Sequence, residues 1–313
     1  MKYLFLSLTA LLMASPVQAA EAPKRVLVVT VTTGFRHSSI PTAEKVLAQL
    51  AEKSGVFTVD FVHQPELPAA VGPKPSPPPS TAGTDAQAAY DLTMKKYAAV
   101  QAAYNTELNN QVKTALLKLS PESLKNYDGV IFANTTGDLP IPDKVGFLNW
   151  IKEGHAFIGM HAASDTFHHW PEYLDMLGGE FLKHGQQVSV NALNVDPKNP
   201  ATAGLPPSWV IQQEEIYNFK DYDPAKVHEL LALGISPLNG MPGHFPVSWC
   251  KMYGKGRVFY TSLGHREDIW DTDPTIKDRI NPPEIAQKYQ DFILGGIKWA
   301  LGVDAGDGAP QTK

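Results

Sequence analysis

The chain has 313 residues, 43% of them hydrophobic and 19% charged, enough for one large domain or two small ones with a sizeable core. A formal net charge of -5 leaves no basic footprint, which argues against nucleic acid as a partner. The single cysteine, Cys250, excludes an internal disulfide, so stability has to come from burial.

The first residues read as a secretory signal peptide. Lys2 gives a positive start, residues 4–14 are apolar, and Val17-Gln18-Ala19 offers small residues for cleavage after Ala19 or Ala20. The apolar stretch is too short to span a bilayer as a mature helix, so the expected address is periplasmic or secreted, with no stable membrane insertion after cleavage. A retained anchor is the alternative.

Residues 25–31, RVLVVTV, form a continuous β-branched run, as in a strand buried on both faces. A turn with Gly34 follows. Pro41 opens a helix with Ala43, Val46, Leu47 and Leu50 at helical spacing, and Gly55 stops it. Residues 57–62 are the next strand, and strand–helix–strand implies a parallel sheet. Residues 64–84, rich in proline, alanine and serine, stay extended. Residues 85–119 predict a long helix with Tyr90, Met94, Tyr97, Tyr104, Leu108, Val112 and Leu116 roughly on one stripe. Residues 64–119 therefore read as an insertion whose amphipathic helix packs on the main domain or takes a protein partner.

The alternation then resumes. Ser120-Pro121 caps a helix start, residues 128–133 form a strand, and residues 143–153 a helix with Val145, Leu148 and Ile151 inward. Residues 155–160 are a strand ending at His161. Further strands fall at 188–195, 209–213, 228–234, 245–253 and 257–262, the last two joined by the hairpin turn Gly254-Lys255-Gly256. A helix over 285–301 closes a domain spanning 25–301, and residues 302–313 are a polar tail.

In open α/β sheets functional groups gather beyond the carboxyl ends of the strands. The first strand is followed by Gly34, Phe35, Arg36 and His37. Asn134, Thr135, Thr136 and Asp138 follow the strand at 128–133. His161 and Asp165 follow the strand at 155–160, and Gly264, His265 and Arg266 follow the last strand. His161 lies between Gly159 and Ala162-Ala163, small neighbours suited to a sharp strand–turn–helix elbow. A helix N-terminus there biases the imidazole to its neutral form, able to act as base, electrophilic donor or metal ligand. One helical turn on, Asp165 is placed to orient it. The alternative is that local backbone groups satisfy His161 and Asp165 is a simple cap. Glu214-Glu215-Ile216-Tyr217 lies directly after the strand at 209–213, and a carboxylate there can reach the same pocket as base or ligand, although an EE pair alone is usually a solvated face. His168 and His169 read as surface or rim residues beside Trp170, His155 as structural and Cys250 as a small core residue. His244 sits in a glycine- and proline-rich turn that can overhang the site.

The segments GFRH (34–37), GMHAASDTFHHWPEYLDMLGGEFLKH (159–184), EEIYNF (214–219) and WCKMYGKGRVFYTSLGH (249–265), in that order, resemble the ThuA-like, or trehalose-utilisation, family over residues 25–301 apart from the insertion. The resemblance implies a class I glutamine amidotransferase-like fold. That is a flavodoxin-like α/β architecture, its mostly parallel sheet covered by helices on both faces. The elbow of that fold normally carries cysteine. His161 stands there instead, so cysteine-dependent amidotransferase chemistry is not expected. The resemblance also implies disaccharide or 3-keto-sugar catabolism with a small-molecule carbohydrate partner. It places His37, His161, Asp165, His184, Glu215, Tyr217 and His265 on motif positions. Glu214 departs from the usual aspartate, Gly185-Gln186-Gln187 from a common proline, and the insertion is unusually long.

Three functions are compatible with these residues. One is a glycoside or keto-sugar hydrolase or lyase with His161 as base or electrophile, Asp165 as its orienter and Glu215 and His265 as acid/base partners. Arg36, His37, Tyr217 and Trp170 would then contact substrate. A second adds a divalent metal, zinc, manganese or nickel, held by His161, His184, His265 and Glu215, although no tight spacing such as HExxH is present. The third is a non-catalytic carbohydrate-binding module.

Overall fold

The computed structural model describes residues 22–66 and 71–311. The signal-peptide reading of residues 1–19 lies outside them. Among the described residues no helix is long and apolar enough to cross a membrane.

β1 (Lys24–Val29) leads through α1 (Ile40–Ser54) to β2 (Phe57–Val62), and the two strands pair in parallel. Gly55 closes α1 with φ +64, a left-handed position that glycine adopts without a Cβ penalty, and its N–H reaches the Ala51 carbonyl. The connection to β3 (Gly129–Ala133) holds α2 (Thr84–Ala115), a 3-10 turn at Leu116–Leu119 and the short α3 (Pro121–Leu124). Val112, Leu116 and Leu119 are fully buried in one core cluster with Leu27, Val29 and Phe132. The last turns of α2 are thus the ordinary crossover cover of the sheet rather than an appendage. Tyr90, Met94, Tyr97 and Tyr104, earlier on the same stripe, are only half-buried.

α4 (Lys144–Lys152) is capped by the Asp143 carboxylate, which accepts from the Gly146 N–H, and it leads into β4 (Ala156–Met160). One expectation is corrected here. Val145 is 71% exposed, whereas Leu148 and Ile151 face inward as expected, joined by Phe147 and Trp150. Beyond β4 come α5 (Pro171–Leu177), β5 (Glu180–His184), β6 (Val188–Asn194), β7 (Ser208–Glu214), β8 (Tyr217–Lys220), β9 (His228–Ile235), β10 (Pro242–Tyr253), β11 (Gly256–Thr261), α6 (Glu267–Trp270) and α7 (Pro283–Ala300).

Nine strands form one sheet in the order β2-β1-β3-β4-β11-β10-β9-β6-β7. The first five pair in parallel in the flavodoxin-like order, and β10, β9, β6 and β7 extend the sheet with antiparallel pairings. Helices cover both faces. Val26 and Val28 pack with α1 and α7, while Leu27 and Val29 pack with the end of α2, α4 and α5, as the two-residue period of a strand requires. β5 and β8 form a separate antiparallel pair in which His184 lies opposite Tyr217.

Candidate active site

In the sheet β3 separates β1 from β4, and β4 neighbours β11; the loops that follow β1, β4 and β11 converge over this carboxyl edge and bring His37, His161 and His265 together. His161 follows β4 directly with φ +48, a left-handed backbone that a histidine adopts only when its surroundings enforce it. Its carbonyl accepts from the Tyr260 hydroxyl at 2.8 Å, and Tyr260 also bonds Ser164. Close packing explains the small neighbours. A Cβ on Gly159 would lie 3.0 Å from both Leu177 and Tyr260 and 3.2 Å from Ala163. The elbow expected from the sequence is present, followed by a single 3-10 turn over His161–Asp165 rather than a regular helix.

A buried polar frame lies beneath it. Asn134 donates to the Ser39 hydroxyl and to the Gly264 carbonyl, which also accepts from Ser39 and from the Trp270 indole. Gly264, at φ +124, turns its N–H to the Glu214 carboxylate, as does His265. This frame joins the loops that carry His37 and His265.

His37, His161, Glu215 and His265 each bring one donor atom within 4.8 Å of the others. The ring centroids of His37 and His161 are 4.8 Å apart, and both are 5.3 Å from His265. Glu215 links the group. Its Oε1 lies 3.3 Å from His265 Nδ1 and 3.8 Å from His161 Nε2, while Oε2 lies 3.0 Å from His184 Nδ1. The 3.3 Å contact is an ion-pair approach without hydrogen-bond alignment, so His265 Nδ1 has no hydrogen-bond partner, and neither does His37 Nδ1.

The tautomer of His161 follows from its partners. Nδ1 lies 2.7 Å from the Ser262 carbonyl, which can only accept, so Nδ1 carries the proton. Nε2 is then a lone pair, and the Tyr217 hydroxyl donates to it at 2.9 Å. Burial, then the imidazoles of His37 and His265, hold His161 well below the usual histidine range. Burial and His265 likewise pull His37 down to about 4. Burial also pulls on His265, but the Glu215 carboxylate outweighs it and this ring sits above the ordinary value. Glu214, fully buried, is raised to about 7 by desolvation against the pull of the His265 and Gly264 N–H groups. His161 is enclosed. The cluster meets solvent through His265, with a side chain 21% exposed, and through His184 at 45%. A concavity of about 650 Å³ between Val188, Val210 and Leu238 lies apart from these histidines.

Several expectations are corrected. Asp165 does not orient His161; its Oδ1 pairs with His168 Nε2 at 2.8 Å, because a tight 3-10 turn directs it outward. The role passes to the Ser262 carbonyl. The neutral state of His161 comes from burial and neighbouring rings, not from a helix end. An electrophilic donor role is also closed, since its only N–H faces Ser262. His184 stands outside the four-residue group, as partner of Glu215. Arg36 turns away to the Thr30 carbonyl at 2.9 Å. Trp170 is 6% exposed and packs on Phe167, Phe147 and Tyr173, so it cannot touch substrate. His244 pairs with Glu229 rather than overhanging the cluster. Cys250 is fully buried, and desolvation pushes its thiol up, as expected of an inert core cysteine.

Sequence reasoning missed three features. Phe35, 67% exposed, stands edge-on to His37 at 4.8 Å and borders the entrance. Ser262 acts through its carbonyl, which no side-chain pattern reveals. His168 bridges Asp165 and Glu180, the latter also bound by Lys220 at 2.9 Å, where a rim residue was expected.

The five parallel strands with a left-handed residue at the β4 elbow define a flavodoxin-like α/β protein whose elbow bears histidine. The chain belongs to the ThuA family: the family model described as trehalose utilisation matches residues 83–281. Among solved structures, a ThuA-like protein from Parabacteroides merdae is 21% identical over 89% of this chain and 90% of that one, with a TM-score of 0.59. A ThuA-like protein from Bacteroides uniformis is 19% identical over 92% and 95%, with a TM-score of 0.54. At these identities the two show a common fold. No curated protein matches the sequence.

Proposed function

We propose that this protein is an enzyme of disaccharide or 3-keto-glycoside catabolism whose histidine–carboxylate pocket performs acid/base cleavage. One observation carries the reading: a single carboxylate, Glu215, reaches toward His161, His184 and His265 at once, in a side-chain cluster at the strand ends of a ThuA-family fold.

In a 3-keto-glycoside the C2–H is α to the carbonyl, and the glycosidic oxygen on C1 is β to it. Removal of the C2 proton therefore drives electrons toward C1 and expels that oxygen. Glu215 suits the base, and the His265 imidazolium, favoured by that carboxylate, suits the acid that protonates the leaving oxygen. His161, held neutral with its lone pair on the Tyr217 hydroxyl, is too weak a base for the first step and serves to position Tyr217. Phe35 supplies an exposed aromatic face for a sugar ring. Export to the periplasm or beyond belongs to the same proposal and is supported by the pattern of residues 1–19.

The test is a turnover panel of trehalose, other disaccharides and their 3-keto derivatives, with products identified by mass spectrometry. Cleavage of a keto-glycoside is expected. Retained sugar binding with no product from any member contradicts the enzyme and leaves a binding module.

A further inference from the structure

We propose that His37, His161, Glu215 and His265 bind one divalent transition-metal ion. Around an ion with ligand bonds near 2.0–2.2 Å, donor atoms stand roughly 3–4 Å apart. The four donors here lie within 4.8 Å, and Glu215 Oε1 is already 3.3 Å from His265 Nδ1 and 3.8 Å from His161 Nε2. Small rotations of His37 would complete the approach.

Two further observations point to a cation rather than to an ordinary polar core. His37 is 94% buried by its 6% exposure, and its Nδ1 has no hydrogen-bond partner; His265 Nδ1 has none either. Buried nitrogens normally find partners, and two orphaned ones beside one carboxylate are unusual. Next, His161 Nδ1–H is tied to the Ser262 carbonyl, the outer hydrogen bond that fixes a ligating histidine with its other nitrogen inward. His184 Nδ1 lies 3.0 Å from the second Glu215 oxygen, an ion-pair contact, while its hydrogen bond goes to the Gly185 carbonyl.

Three imidazoles and one carboxylate suit zinc, manganese or nickel better than the oxygen-seeking calcium or magnesium. The set differs from the one read from sequence: His37 replaces His184, which moves to the outer layer. The Tyr217 hydroxyl, now on the His161 lone pair, would be released to face a ligand on the ion.

This inference concerns the site of the proposed function and gives Glu215 and His265 a different task, since with an ion bound they would serve as ligands rather than as base and acid; its test does not need turnover. Untagged protein is stripped with a chelator and offered Zn2+, Mn2+ and Ni2+ separately, and bound metal is measured after gel filtration. About one ion per chain is expected for at least one metal, with a rise in melting temperature. His37→Ala and His265→Ala should each weaken binding by at least ~100-fold, and His184→Ala by ~10-fold. Visible absorption of the Co2+ form of the unmutated protein gives a readout that no folding defect can confuse. Less than about a tenth of an ion per chain for every metal, or unchanged binding in His37→Ala, overturns the site. A bound ion with no sugar turned over leaves the site standing and contradicts the proposed activity instead.

Discussion

Tyr217 donates its hydroxyl proton to His161 Nε2 at 2.9 Å, across the boundary between the small β5–β8 pair and the main sheet. Both groups are buried, so the bond is directional and unshared with bulk water. In Tyr217→Phe the hydroxyl is lost and the ring packing is kept. Turnover should fall by ~100-fold while stability drops by about 1 kcal/mol, measured by steady-state kinetics and denaturant unfolding on the same preparation. An unchanged kcat would show that the pair is structural only.

Phe35 borders the entrance with most of its ring in water. Phe35→Ala should raise KM by about 3- to 10-fold, the scale of one aromatic contact, with kcat and melting temperature unchanged. An unaltered KM for every sugar turned over removes Phe35 from the binding surface.

Glu214 sets a pH dependence of stability. Its folded pKa of about 7 lies above the usual 4.5, so the folded state holds the proton more tightly than the unfolded chain. The resulting stabilisation is fully present below about 4.5 and is lost as pH rises through 7, amounting to roughly 3 kcal/mol. Relative to Glu214→Gln, chelator-treated wild-type protein should lose about that much stability between pH 4.5 and 8 in urea titrations. Parallel curves for the two proteins would show that Glu214 ionises normally.

Asp165 belongs to the His168–Glu180–Lys220 group, not to the His161 pocket. Asp165→Ala should cost about 1 kcal/mol or less and leave kcat/KM within about 2-fold of wild type. A loss of 100-fold would return Asp165 to the role of orienting His161.

Much of the fold was legible because its strands are short apolar runs bounded by glycine and proline. Residues 25–31 and 57–62 flank a helix opened by Pro41 and closed by Gly55, and that pattern admits few arrangements besides a parallel pair. β5 and β8 were not legible, since EFLKH and YNFK are brief, half-exposed and paired across more than thirty residues of intervening chain. That omission hid why His184 and Tyr217 lie together. The strand-end rule brought His37, His161 and His265 to one place because β1, β4 and β11 all end on the same edge of the parallel part of the sheet, with only β3 between β1 and β4. It failed at Asp165 and Trp170, where a 3-10 turn and an aromatic core decide direction, and one-dimensional spacing encodes neither.

His161 is the centre of this account, and His161→Asn is the cleanest probe of it. Asparagine tolerates the left-handed backbone at φ +48, so the elbow can survive while the imidazole is lost. With a 3-keto-glycoside as substrate, the account predicts a folded variant whose kcat/KM falls by at least ~100-fold. A folded His161→Asn protein that cleaves the same substrate at the wild-type rate would contradict it.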